Sequence, residues 1–151
     1  MLRTQPPVPP VSPHAQDRRS AAAPVLCTSV GPLVPQHSTD DLRRKDLVPI
    51  SWHAGGAPRS VPLEKQTVIE TQAGPLPAEL VTFYPSGALK RVFPLNGRLS
   101  GYWTEEDEAA LARSLRLRTP QGIWTVTIIS VCFHEDGSLR NVALWPGETV
   151  E

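Results

Sequence analysis

Cys132 and His134 are the two side chains whose type and spacing come closest to chemistry in this sequence. On an extended strand, residues two apart project from one face. A thiol and an imidazole placed so could share a metal ion or work as nucleophile and base. The rest of the chain offers them little support. It holds no Gly-x-Ser-x-Gly, no His-Glu-x-x-His, no Cys-x-x-Cys and no glycine-rich phosphate loop leading into a helix. Paired carboxylates at Glu105–Glu108 and at Glu135-Asp136 read as a helix start and a turn. The same slot is filled by Ser51 with His53 and by Thr82 with Tyr84, so it accepts any medium-sized polar pair. We therefore expect no catalytic residues, no metal and no cofactor. A small metal-dependent or thiol enzyme centred on Cys132/His134 is the alternative.

The elements that would position this slot repeat along the chain. Trp52-His53-Ala54-Gly55-Gly56-Ala57-Pro58-Arg59-Ser60-Val61 aligns with Phe83-Tyr84-Pro85-Ser86-Gly87-Ala88-Leu89-Lys90-Arg91-Val92. A third copy is Phe133-His134-Glu135-Asp136-Gly137-Ser138-Leu139-Arg140-Asn141-Val142. Each reads as a hairpin: an aromatic on the first strand, a turn closed by Gly56, Gly87 or Gly137, and a valine on the return strand. Between these lies a second motif, Thr-x-x-Gly, at Thr28 to Gly31, Thr71 to Gly74 and Thr119 to Gly122. Each copy sits between short apolar segments and again reads as a hairpin, so Gly31, Gly74 and Gly122 join the structural turn positions. The expected fold is mainly β. It is an antiparallel hairpin-repeat sheet of three two-hairpin units, about twelve short strands, spanning residues 25–151.

Two insertions interrupt the pattern. Residues 36–45 hold Asp40, Asp41, Arg43, Arg44 and Lys45, and read as a solvated turn whose charges pair locally; a basic docking loop is the alternative. Residues 104–114 read as one short helix. Thr104 caps it, acidic residues favour its start and Arg113 its end.

Composition bounds the function classes. Fifteen basic residues balance fifteen acidic ones, which gives no electrostatic footprint for nucleic acid. No apolar run approaches a membrane span. Residues 1–24 are rich in proline and poor in bulky apolar side chains, so we expect a disordered tail. No secretory signal is evident, and we expect a cytoplasmic protein with Cys27 and Cys132 reduced.

The stretch from Leu80 to Trp103, with Phe83-Tyr84-Pro85-Ser86-Gly87-Ala88-Leu89-Lys90 at its centre, resembles bacterial proteins carrying MORN-like variant repeats. The likeness extends through Leu144-Trp145-Pro146-Gly147-Glu148. It implies a β-repeat sheet and no known catalytic residues, and some relatives of this kind are described as antitoxin-like. Two departures stand out: two hairpins per unit in place of a uniform period, and Pro58 where the other copies have Leu89 and Leu139.

The expected function is a non-enzymatic interaction module that binds another protein, with an antitoxin-like binder as a special case. Alternation along the strands would put Trp52, Phe83 and Phe133 in the core. His53, Tyr84 and His134 would then form a ladder on the opposite face, joined by Tyr102 and Trp103 as the binding surface.

Overall fold

A computed structural model of the chain describes residues 24–97 and 112–148. The expected tail, save its last residue, lies outside them, as do Tyr102, Trp103 and most of the helix expected at 104–114. The described end of that stretch, residues 112–114, is irregular. No helix occurs among the described residues, and therefore none long and apolar enough to cross a membrane.

The fold is mainly β and antiparallel. Its strands are β1 (Leu26–Thr28), β2 (Gly31–Leu33), β3 (Ser51–Trp52), β4 (Pro58–Thr71), β5 (Gly74–Phe83), β6 (Leu89–Phe93), β7 (Leu115–Thr119), β8 (Gly122–Val126), β9 (Ile128–Phe133) and β10 (Leu139–Leu144). The described residues hold ten strands rather than about twelve, because β4 and β5 each run without a break through two expected strands. Six strands form one sheet in the order β10-β9-β6-β5-β4-β3, and β1-β2 and β7-β8 are separate two-stranded ribbons.

The three aromatic turns share one geometry. The N–H of His53, Tyr84 and His134 donates to the carbonyl of Ala57, Ala88 and Ser138 respectively, each at 2.8 Å. The closing glycine donates back across the turn, Gly87 to Tyr84 at 2.8 Å. Beyond each turn the return strand carries one extra residue: Trp52 pairs with Pro58 and Ser51 with Ser60, Phe83 with Leu89 and Thr82 with Arg91, Phe133 with Leu139 and Cys132 with Asn141. The extra residues are Arg59, Lys90 and Arg140, all exposed. A bulge leaves its extra residue outside the ladder, which accounts for a basic side chain three places after each turn glycine.

Past the bulges the register brings valines together. Val61 pairs with Val81, Val81 with Val92, Val92 with Val131 and Val131 with Val142. The first four are wholly buried, and cross-strand contacts between β-branched side chains stabilise such a sheet. Leu33, Leu63, Ile69, Leu76, Leu117, Val126, Phe83 and Phe133 join them in one core, which draws on the two ribbons as well as the sheet.

The Thr-x-x-Gly turns also share a geometry. Each threonine hydroxyl accepts the N–H two residues on (Val30, Ala73, Gln121) and donates to the carbonyl of the glycine that follows. One β-branched residue thus ends a strand and closes its two-residue loop.

Gly87 stands at φ 92°, a region where β-branched side chains are strained. Replacing Gly87 by valine is expected to cost about 1–3 kcal/mol, read as a lower midpoint in a urea titration. An unchanged midpoint would mean that the turn does not hold this conformation in solution.

Between Pro62, paired with Leu80, and Thr67, paired with Ala78, strand β4 leaves β5. Residues 63–66 lie there opposite Glu79 alone. Leu63 bridges instead to Pro35, Gln36 N–H donates to the Pro62 carbonyl at 2.8 Å, and Glu64 N–H donates to the Val34 carbonyl at 3.0 Å. This exchange of partners lets one long hairpin serve both the sheet and the ribbon layer.

Candidate interaction edges

The segment of residues 36–45 proves to be a structural clamp. Arg43 and Arg44 are directed into the protein, where they meet the bulge that residues 63–66 of β4 form opposite Glu79. Arg43 forks onto Glu79, Nη1 to Oε1 and Nη2 to Oε2 at 3.0 Å each, and also reaches Asp41 at 2.8 Å. The Asn96 N–H adds a third donor to Glu79 at 2.8 Å. Arg44 donates to the carbonyls of Leu63 and Glu64, two residues of the bulge itself. The Glu64 carboxylate accepts the N–H groups of His37 and Ser38. The charges pair locally through Asp41, as expected, but the turn is not simply solvated: Arg43 is held by Glu79 and Asp41, and the buried Arg44 by Asp41 and the Leu63 and Glu64 carbonyls. Lys45 alone of the three basic residues is exposed.

Burial pushes the Asp41 carboxyl up, but hydrogen bonds from Arg43 and Arg44 outweigh it and hold the group below its ordinary value. Glu64 follows the same pattern. Burial raises it, and the Ser38 hydroxyl with the His37 and Ser38 N–H groups brings it below the usual range.

The expected ladder of His53, Tyr84 and His134 is for the most part occupied. His53 Nε2 lies 2.9 Å from the Phe83 carbonyl; a carbonyl only accepts, so this nitrogen carries the proton. Tyr84 donates its hydroxyl to the Phe133 carbonyl at 2.6 Å, and Lys90 lies over its ring. Each of these side chains therefore ties its own turn to the next one along the sheet. His134, in the last turn, is exposed.

The tips of the Thr-x-x-Gly hairpins lean the same way. Ser29, at the tip of β1-β2, donates to the Gly87 carbonyl at 2.7 Å. Gln72, at the tip of β4-β5, donates to the Asp136 carbonyl at 3.2 Å. Each tip thus contacts the aromatic turn of the hairpin pair that follows it. Sequence reading missed these contacts, because nothing in a polar residue at a hairpin tip says which distant carbonyl it meets.

Cys132 and His134 are not brought together as an accessible pair. Cys132 is 1% exposed, its thiol 3.9 Å from the Phe133 carbonyl, whereas His134 is exposed. Among the described residues no three His, Cys, Asp or Glu side chains gather closely enough to hold a metal. Directly across the sheet from Cys132 stands Arg91, with Thr82 and Ser60 beyond it.

Large apolar side chains are exposed at several places, on β4 at Val68, on β8 at Ile123, and in and just before β3. Phe83 and Phe133 are each 1% exposed, but Trp52, in the corresponding place, is 48% exposed. The shared core position expected for all three aromatics therefore holds for two of them. Leu47 and Val48, just before β3, are 56% and 52% exposed. At the other end β10 is the outermost strand, and Ile129 on the neighbouring β9 is exposed. In comparisons with known proteins, no family model, no curated protein and no solved structure matches the chain.

Proposed function

We propose that this chain is a non-enzymatic interaction module that binds protein through the ends of its sheet. On this reading it is an array of three two-hairpin units, as its likeness to MORN-like repeats suggests, and each unit buries part of the next. The observation that carries the proposal is Trp52. Its counterparts in the other two units are core residues, whereas Trp52 is half exposed, a few residues after the exposed Leu47 and Val48. Tryptophan is among the commonest anchors of protein contact surfaces. The surface differs from the face first expected, since His53 and Tyr84 are engaged within the chain.

The test is affinity capture with the full chain and with a Trp52→Ser, Leu47→Ser variant. Both replaced side chains are exposed, so the variant is expected to melt within a few degrees of the parent while losing the partner the parent retains. Equal capture by both proteins would place the binding surface elsewhere and defeat the proposal.

A further inference from the structure

The hydrogen bonds between turns follow one rule, and that rule leaves a donor over at one end of the sheet and an acceptor at the other. The second residue of each aromatic turn reaches the carbonyl of the aromatic that opens the next turn: His53 to Phe83, Tyr84 to Phe133. His134 holds the donor's place in the last of these turns, and the described chain has no further turn for it to reach. Trp52 holds the acceptor's place in the first, with no turn of this kind before it.

We propose that the two ends meet between molecules. The chain docks head to tail on a second copy of itself, β10 of one against β3 of the next, with His134 donating to the Trp52 carbonyl of the next copy. This rests on the interaction-module reading and names its partner.

Strand direction permits the contact. Neighbouring strands are antiparallel throughout the six-stranded sheet, so direction alternates and β10 runs opposite to β3. A copy carried across the edge without inversion then presents β3 antiparallel to β10, as β5 stands to β4 and β9 to β6. Register agrees as well. Ser60 faces Thr82 and Arg91 faces Cys132, and the same step sets Asn141 opposite Ser51 of the next copy. Val61 faces Val81 and Val92 faces Val131, which sets Val142 opposite Ile50 of the next copy. Both are partly buried apolar residues at the rim of the core, so the valine row would continue with a side chain of its own kind.

The tips of the Thr-x-x-Gly hairpins obey the same offset. The tips at Ser29 and Gln72 each bond to the aromatic turn one unit on. The third tip, Pro120-Gln121, has its counterpart turn only in the next copy, where it would approach Trp52 and Gly56. The exposure of Trp52 then has a physical cause: it opens the one aromatic turn that has no preceding unit beside it. A contact between two different patches of one surface is heterologous, so it repeats until it closes a ring or grows as a chain.

The experiment is sedimentation velocity on the full chain and two variants, His134→Asp and Trp52→Arg. Both side chains are exposed, and a circular dichroism melt confirms that each variant folds. Aspartate cannot donate to a carbonyl at neutral pH, and arginine places a charge where the contact is apolar. The parent is expected to rise with concentration above the 16.5 kDa monomer and past the dimer. Each variant alone is expected to stay monomeric. Their mixture is expected to reach twice the monomer mass and stop, because each variant retains the end that the other has lost. A parent that stays at 16.5 kDa at every concentration overturns the inference, and so does dimerisation of either variant alone, which a symmetric interface would produce. A monomeric parent that still captures a protein through Trp52 defeats the head-to-tail contact and leaves the interaction module standing. A monomeric parent whose capture ignores Trp52 and Leu47 defeats both.

Discussion

An Arg43→Ala variant is expected to lose about 3–5 kcal/mol of folding stability, the usual result of removing one partner from a buried ion pair. The Arg43 side chain is 9% exposed and the Glu79 side chain 5%. Without the guanidinium fork, Glu79 keeps only the Asn96 N–H in a site shielded from water. The loss should appear as a lower urea midpoint with an unchanged slope. A companion Lys45→Ala change, two residues along but on an exposed side chain, should move the midpoint little.

Acid provides a second reading of the same clamp. The folded-state pKa values of Asp41 and Glu64 lie below their ordinary values of 3.8 and 4.5. Groups depressed by folding contribute stability that is full above the unfolded pKa and fades as pH falls through the folded one. The parent should therefore lose stability as pH is taken below the mid-fours, and Arg43→Ala should lose less over that range, since only Arg44 then holds Asp41. Equal acid sensitivity in the two proteins would show that Arg43 does not hold Asp41 in solution.

The second large effect is expected at Phe83. Truncation to alanine empties a site that is 1% exposed, at about 3–5 kcal/mol. Trp52→Ala, at the corresponding place in the first turn, should cost far less because half of that side chain is already in water. Tyr84→Phe keeps the ring and removes only the hydroxyl that reaches the Phe133 carbonyl, for about 1 kcal/mol. The ordering is the test. If Tyr84→Phe matched Phe83→Ala in a urea titration, the cross-turn bond would be a principal support of the fold rather than a tie between neighbouring turns. If Phe83→Ala were mild, the assignment of the buried face would be wrong.

Local structure was legible in the chain because it depends on neighbours in sequence. The six turn glycines, the three threonine loops and the alternation that buries Phe83 and Phe133 all follow from dihedral preference and a period of two, and they stand where the sequence placed them. The strand count came out lower, because a hairpin motif does not say whether the strand between two turns will break. What only the tertiary structure decided are the contacts between residues far apart in the chain. Arg43 and Arg44 look like a solvated basic run until the bulge in β4 exposes carbonyls for one and sets Glu79 before the other. His53 and Tyr84 look free until the next turn brings a carbonyl within reach. Trp52 matches Phe83 and Phe133 in sequence yet differs in burial, since burial depends on what lies beside a turn in the sheet, and beside the first turn this fold has an edge.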